Sequence, residues 1–209
     1  MDYPPGSTGA PAAALYLRVS EHMDNTVLLV PGLRGSGPAH WQSLWQAKHP
    51  AFRRVLQREW GAARLEDWSA AIDEAVRDAR GRVFIVAHGF GCLASLQRLR
   101  RRSSDVAGAL LVAPRDPPDF GMELPPPGEP LELPSTLVAS RDDPCMPFAH
   151  AQRLARRLGS HLVDAGEAGH IDDAAGFGPW EKGERLLARV FARAQARERE
   201  LQVALALTT

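Results

Sequence analysis

The chain has 209 residues, of which 44% are hydrophobic and 24% charged, and its 25 Lys and Arg balance its 25 Asp and Glu. This composition is that of an ordinary globular protein that is long enough to bury a sizeable core. The zero formal charge argues against a general affinity for nucleic acid or an anionic membrane, and no apolar run approaches the roughly 20 residues of a membrane-spanning helix.

The first 14 residues are rich in Pro, Gly, Ala and Ser, and they lack the basic start and apolar core of a signal peptide. We therefore expect residues 1–14 to be a disordered leader and residues 15–209 to form a single domain. The two cysteines, Cys92 and Cys145, suggest no disulfide framework and suit a reducing compartment. The expected location is cytoplasmic.

Strands and helices alternate along the rest of the chain. Short apolar or β-branched runs predict strands at residues 15–19, 26–30, 55–58, 83–86, 109–112, 136–139 and 161–164. Helical spacing of apolar residues predicts helices from about 40, over 65–79, after 91, over 148–158, and from about 179 to about 205. Residues 114–134 hold eight of the 17 prolines, so no regular element is expected there. The alternation predicts an α/β fold whose mostly parallel sheet has about five or six strands and helices on both faces.

The segment 83–96 joins a predicted strand to a predicted helix through a sharp turn. Ala87 and Gly91 are small, as required where the strand and helix backbones pass closely. This frame is that of a nucleophile elbow, whose central residue is the attacking group. Here the central residue is Gly89, so the frame is present and the nucleophile is absent. Because the elbow backbone is strained and glycine adopts such angles freely, we expect Gly89→Ser to lower stability modestly.

Loops at the carboxyl ends of parallel strands carry the site in folds of this kind. Three positions there follow the order nucleophile, acid and base: Gly89, then Asp143 or its neighbour Asp142, then His170. We expect His170 to be the general base and the aspartate to orient it. The ring of His88 is expected to point away from position 89, so we interpret this residue as structural. His40, His150 and His161 show no ligand spacing, and no metal site is expected.

An oxyanion hole needs two backbone N–H groups. Phe90, directly after the elbow centre, is expected to supply one, and Leu33 or Arg34 the other. The latter two lie in the glycine-rich loop 31–38, which lacks the lysine and spacing of a P-loop and the dinucleotide-binding fingerprint. A phosphate cradle is therefore disfavoured.

Several stretches together resemble the small serine hydrolases of the retinoblastoma-binding protein 9 type, the YdeN-like branch of the α/β-hydrolases. The matching stretches are residues 30–33, 35–38 and 40–42, residues 86–88 and 90–92, residues 140, 142–144 and 147, and residues 169–171, 176 and 178–180. The resemblance implies an α/β-hydrolase fold with little or no lid, no cofactor, and a Ser-His-Asp triad acting on esters or amides. Carried over residue by residue, it favours Asp143 as the acid and His170 as the base. The serine of the family falls on Gly89.

Without a hydroxyl at Gly89, His170 has nothing to deprotonate and no acyl-enzyme can form. Loss of a triad serine costs on the order of 10⁶ in turnover. Cys92 does not substitute, because it lies about a turn into the helix. We therefore expect a serine-hydrolase-family protein with weak or no turnover that still binds a small acyl or ester-like ligand.

An alternative is a non-catalytic pseudoenzyme that binds a small ligand, a protein partner or a second copy of the chain. In that case segment 114–134 and the long C-terminal helix would provide the contact surface. Gly89 itself has three interpretations: a natural loss, an engineered inactivation, or a site assigned to the wrong residues.

Overall fold

The computed structural model of the chain describes residues 25–123 and 128–208. The predicted leader 1–14 and the predicted strand at 15–19 lie outside these described residues.

Within residues 25–123 and 128–208, six strands form one sheet in the order β2-β1-β3-β4-β5-β6, and every neighbouring pair is parallel. The strands are β1 (Asn25–Val30), β2 (Phe52–Arg54), β3 (Arg82–His88), β4 (Gly108–Val112), β5 (Ser135–Ala139) and β6 (His161–Asp164). The central strands β1, β4 and β5 are buried at every position, as expected of parallel strands that are covered on both faces. The predicted parallel sheet of about five or six strands is confirmed.

The prediction of a strand at residues 55–58 is wrong, because the strand lies just before this segment. Residues 55–58 were expected, whereas the strand that pairs with β1 is Phe52–Arg54, with Phe52 opposite Val27. Burial alternates along residues 55–58 as it does in a strand, since Val55 and Gln57 are buried whereas Leu56 and Arg58 are exposed. The pairing with β1 extends only one residue further, through the bond from the Val55 N–H to the Leu29 carbonyl.

Five α-helices cover the two faces of the sheet in the described residues. They are α1 (Trp41–Lys48), α2 (Leu65–Arg77), α3 (Phe90–Arg101), α4 (Phe148–Leu158) and α5 (Glu181–Ala206). Apolar side chains of α2, α3 and α4 pack on one face of the sheet, against residues such as Leu28 and Ile85. Side chains of α1 and α5 pack on the other face, against residues such as Leu29 and Phe84. Helices therefore lie on both faces, as predicted.

The described part of the proline-rich connection between β4 and β5 contains a short helical turn, although no regular element was expected in residues 114–134. Residues Pro117–Phe120 form a single turn of 3-10 helix that ends at Gly121, where φ is +66°. Proline is tolerated in the first turn of a helix because its missing N–H has no acceptor there. The Phe120 ring lies 4.9 Å from the ring of Phe90, so this turn covers the start of α3.

Helix α5 is the longest element, with 26 residues. Its first half packs on the sheet, whereas its last turns expose apolar side chains. These are Leu201, Val203 and Leu205, followed by Leu207 just beyond the helix. Among the described residues, no helix is both long and apolar enough to cross a membrane.

Candidate active site

The predicted elbow lies at the carboxyl edge of the sheet, between the end of β3 and the start of α3. Gly89 links the two elements with φ +55° and ψ −122°, a conformation that glycine adopts far more readily than other residues. Two residues later the backbone of α3 passes close to β1. A Cβ at Gly91 would overlap with the Pro31 carbonyl oxygen and would lie 2.6 Å from that of Val30. Only glycine fits there without displacement of backbone.

The structure brings the three positions of the expected constellation together. His170 Nδ1 lies 2.9 Å and 3.1 Å from the two carboxylate oxygens of Asp143, so this N–H donates to the carboxylate. On the other side of the ring, a Cβ at Gly89 would lie 3.2 Å from His170 Nε2. The His170 side chain is 17% exposed, and the Asp143 side chain is 3% exposed. An acid, an imidazole and a position for a nucleophile are thus aligned in that order.

Asp142, the alternative acid, has a different place. Its Oδ1 accepts hydrogen bonds from the Ser140 hydroxyl at 2.6 Å and from the N–H groups of Ala168 and Gly169, both at 2.8 Å. These bonds, that from Ser140 first, hold the pKa of the Asp142 carboxyl below its usual value. Asp142 therefore ties the loop after β5 to the loop that carries His170.

His88 supports the same loop from within the protein. Its Nε2 lies 2.9 Å from the carbonyl oxygen of His170, and burial lowers its pKa to about 4. The ring is therefore neutral near pH 7, and its Nε2–H donates to that carbonyl. His40 lies next to it, with ring centroids 4.8 Å apart, and caps α1 by accepting the Gln42 N–H. The structure thus gives His88 a supporting position beside His170.

The two candidates for the second oxyanion donor differ in their hydrogen bonds. The Arg34 N–H donates to the Trp60 carbonyl at 2.7 Å, so this group is already engaged. Leu33 is therefore the better candidate of the two. Phe90 is the first residue of α3, a position whose N–H has no acceptor within the helix. The pair Leu33 and Phe90 remains the predicted oxyanion hole.

A cleft of about 160 Å³ opens at this edge of the sheet. It is lined by Gly32, Leu33, Gly35, His40, His88, Gly89, Phe90, Arg115, His170, Asp172 and Asp173. Base, nucleophile position and both expected oxyanion donors therefore line one space. A larger cleft of about 730 Å³, around the first residues of β3 and the end of α5, contains none of these groups.

Two residues that sequence reasoning passed over take part in building this edge. Gln42 is completely buried, and its amide N–H group donates to the last carbonyl of β1, Val30, and to Val86 of β3. It belongs to the matching stretch 40–42, but no pattern in the sequence signals which atoms it bonds. The Arg115 N–H donates to the Gly89 carbonyl at 3.3 Å, and its guanidinium donates to Cys145 Sγ at 3.0 Å.

The cysteines differ sharply in their surroundings. Cys92 is completely buried and donates to the Val112 carbonyl, and burial raises the pKa of its thiol. It therefore has no access to the cleft and is no replacement for the nucleophile. Cys145 is half-buried and lies beside the acid–base pair: single donor atoms of Asp143, Cys145 and His170 all lie within 4.8 Å of one another. Sequence spacing alone indicated no such group, since 25 residues separate Cys145 from His170.

A parallel six-stranded sheet, with helices on both faces and a strand–turn–helix elbow at its centre, defines the α/β-hydrolase fold. The chain belongs to the serine hydrolase family, whose model matches residues 27–189. Among functionally curated proteins, no sequence matches the chain.

Solved structures agree with this assignment. A YdeN-like hydrolase from Pectobacterium atrosepticum is 38% identical, and the similarity covers 88% of this chain and 98% of that protein with a TM-score of 0.80. The ydeN gene product from B. subtilis is 21% identical over 80% of this chain and 99% of that protein, with a TM-score of 0.65. The second comparison is evidence for the fold alone. The resemblance to YdeN-like hydrolases inferred from the sequence is thereby confirmed.

Proposed function

We propose that the chain is a serine-hydrolase-family protein that binds small acyl or ester-like ligands and turns them over weakly or not at all, because Gly89 stands at the nucleophile position. One observation carries the proposal: the missing side chain would point at His170 Nε2, 3.2 Å from a Cβ at Gly89. The opposite nitrogen of the same ring is held by Asp143 at 2.9 Å.

The chemistry of the site follows from which atoms it contains. With a serine at position 89, Nε2 would accept the hydroxyl proton, and the Asp143 carboxylate would stabilise the imidazolium. The N–H groups of Leu33 and Phe90 would then stabilise the developing oxyanion. With Gly89, a water molecule held against Nε2 would have to act as the nucleophile. A water is neither covalently positioned nor able to form an acyl-enzyme, so turnover is expected to be slow.

The test is hydrolysis of p-nitrophenyl acetate by this chain and by Gly89→Ser. Serine is expected to bring burst kinetics and a rate increase of several orders of magnitude, bounded by the roughly 10⁶-fold cost of removing a triad serine. His170→Ala in the Gly89→Ser background is the control, and it should abolish the gain. A folded Gly89→Ser variant that stays at the background rate would refute an intact acid–base frame.

A second candidate is a non-catalytic binding module, and the exposed apolar end of α5 favours it. Leu201, Val203, Leu205 and Leu207 are 54–83% exposed, which is unusual for four large apolar side chains in one segment. A protein partner or a second copy of the chain would bury them. Sedimentation of the chain beside a Leu201→Ser/Leu205→Ser variant tests self-association. A reducing, cytoplasmic location is part of either proposal and is supported by the two unpaired cysteines.

A further inference from the structure

Three side chains of different chemistry meet behind the His170 ring. Cys145 follows Asp143 by two residues, and its N–H donates to Asp143 Oδ1 at 2.8 Å, which places the thiol next to the carboxylate. His170 reaches the same carboxylate through Nδ1 at 2.9 Å. One oxygen, one sulfur and one nitrogen atom thus lie within 4.8 Å of one another. Carboxylate, thiolate and imidazole are the three ligand types that Zn²⁺ takes in proteins.

We propose that Asp143, Cys145 and His170 together bind one thiophilic divalent cation of the Zn²⁺ class. Protein-bound Zn²⁺ has ligands at about 2.0–2.3 Å in tetrahedral geometry, so its ligand atoms are about 3.3–3.6 Å apart. Asp143 Oδ1 and His170 Nδ1 are 2.9 Å apart, which is slightly less than this separation. The Cys145 sulfur lies within 4.8 Å of a ligand atom of each of these two residues. Shifts of about an ångström in side chains therefore complete three sites of coordination, with solvent as the fourth ligand.

The surroundings of the cluster contain charges of both signs. The carboxylates of Asp143 and Asp172 and the guanidinium of Arg115 all interact electrostatically with Cys145. The two carboxylates favour a cation. The Arg115 charge opposes it, but its Nη1 already donates to Cys145 Sγ at 3.0 Å, and such outer hydrogen bonds orient metal ligands. On binding, the Cys145 thiol proton passes to solvent, whereas the His170 ring stays neutral: its proton leaves Nδ1 and Nε2 takes up a proton from solvent.

Binding at Nδ1 changes what the other ring nitrogen can do. A neutral imidazole that coordinates a metal through Nδ1 carries its single proton on Nε2. Nε2 then has no lone pair with which to accept a proton from water or from a serine at position 89. The cation therefore switches off the base. This consequence rests on the proposed function, whereas the binding itself does not.

The experiment is a titration of the tag-free chain with Co²⁺, which reports a sulfur ligand through a thiolate-to-cobalt charge-transfer band. The band is expected in the original chain and in Cys92→Ala, the matched control that removes the other thiol. It is expected to vanish in Cys145→Ser. Calorimetry with Zn²⁺ should show at least a tenfold weaker affinity for Cys145→Ser and for Asp143→Asn, because loss of even an outer-shell partner lowers affinity by about 10–100-fold.

The absence of a thiolate band in the original chain, or an undiminished band in Cys145→Ser, would overturn the proposal. A second measurement addresses the switch: Zn²⁺ should inhibit hydrolysis by Gly89→Ser, and EDTA should restore it. Gly89→Ser/Cys145→Ser should be at least tenfold less sensitive to Zn²⁺, relative to its own metal-free rate. If Gly89→Ser hydrolyses nothing, the proposed function fails, and the Co²⁺ titration still decides the metal site separately.

Discussion

The backbone at Gly89 has φ +55° and ψ −122°, which costs a residue with a side chain about 1–3 kcal/mol. A Cβ there would also lie 3.2 Å from His170 Nε2, closer than an ordinary van der Waals contact. An active serine hydrolase bears this strain in order to present its nucleophile. Glycine avoids this backbone strain in the present chain, so the residue that favours stability at position 89 is not the one that favours catalysis.

We predict that Gly89→Ala and Gly89→Ser each lower the free energy of unfolding by about 1–3 kcal/mol, because both introduce a Cβ at a positive φ. Urea denaturation measures the change. Two controls separate backbone strain from steric contact. Gly176→Ala tests strain alone, since φ is +82° and nothing lies near the added Cβ. Gly37→Ala tests the loss of glycine itself, since the added Cβ enters open space and φ is not positive. Equal or higher stability of the Gly89 variants would contradict an elbow at this position.

Asp142 illustrates how a single carboxylate positions another residue of the site. Its hydrogen bonds depress its pKa in the folded state below the usual 3.8. Its stabilising contribution is therefore fully present above the unfolded-state value and is lost as the pH falls through the folded-state value. We predict that Asp142→Asn makes the urea midpoint fall less steeply as the pH is lowered from about 5 through the unfolded-state value of 3.8. Asp173→Asn, an exposed control, should keep the original profile, and identical profiles for all three proteins would refute the role.

At the scale of elements, the elbow depends on how closely α3 approaches β1. The contact is backbone against backbone, since a Cβ at Gly91 would meet the carbonyl oxygens of Pro31 and Val30. Neither oxygen belongs to a flexible side chain that can move aside. The position of the α3 N-terminus, and with it the Phe90 N–H, is therefore set by the absence of one methyl group.

We predict that Gly91→Ala lowers the free energy of unfolding by at least about 1 kcal/mol, since overpacking costs about 1–3 kcal/mol. The sign of this change in unfolding free energy is informative. Without the close contact, alanine would stabilise the helix by about 1 kcal/mol relative to glycine. Thermal or urea unfolding measures it, with Gly37→Ala as the control for glycine removal in open space. A stabilised Gly91→Ala would show that the helix does not approach β1 this closely.

At the scale of the whole molecule, neutral histidines are buried beneath the carboxyl edge of the sheet. His40 is 3% exposed and His88 5% exposed. Burial, as the largest cause, lowers their pKa values to about 3 and about 4. Below the unfolded-state value of 6.5 the unfolded chain binds protons that the folded chain does not. Stability is therefore present above pH 6.5 and is lost as the pH falls towards the folded-state values.

We predict that acidification from about pH 7 to pH 5 destabilises the fold by about 2 kcal/mol for each of these two histidines. His40→Asn should remove one such contribution, because asparagine still caps α1 and has no proton to bind. His161→Asn, at an exposed position of β6, is the control. Urea midpoints at the two pH values measure the slope. An unchanged slope in His40→Asn would mean that this ring is not buried as a neutral group.

Local patterns by themselves determined most of the elements and the class of fold. Helix α4 and strand β6 have the predicted bounds, because an apolar face at helical spacing and a short segment with the adjacent apolar residues Leu162 and Val163 can both be recognised without distant partners. The elbow could also be recognised from the local sequence, because Gly89 allows the positive φ of the turn and Gly91 allows the close approach of α3 to β1. The failure at β2 has the opposite cause: its strand is selected by pairing with β1, not by its own pattern.

Only the tertiary structure decided which atoms meet at the site. Asp142 and Asp143 are equivalent by spacing, and the fold turns one towards backbone N–H groups and the other towards an imidazole 27 residues further on. It likewise engages the Arg34 N–H with Trp60 and brings Cys145 to the acid–base pair. These contacts join loops that follow different strands, so no local periodicity encodes them. They arise because a parallel sheet gathers the carboxyl ends of its strands at one edge.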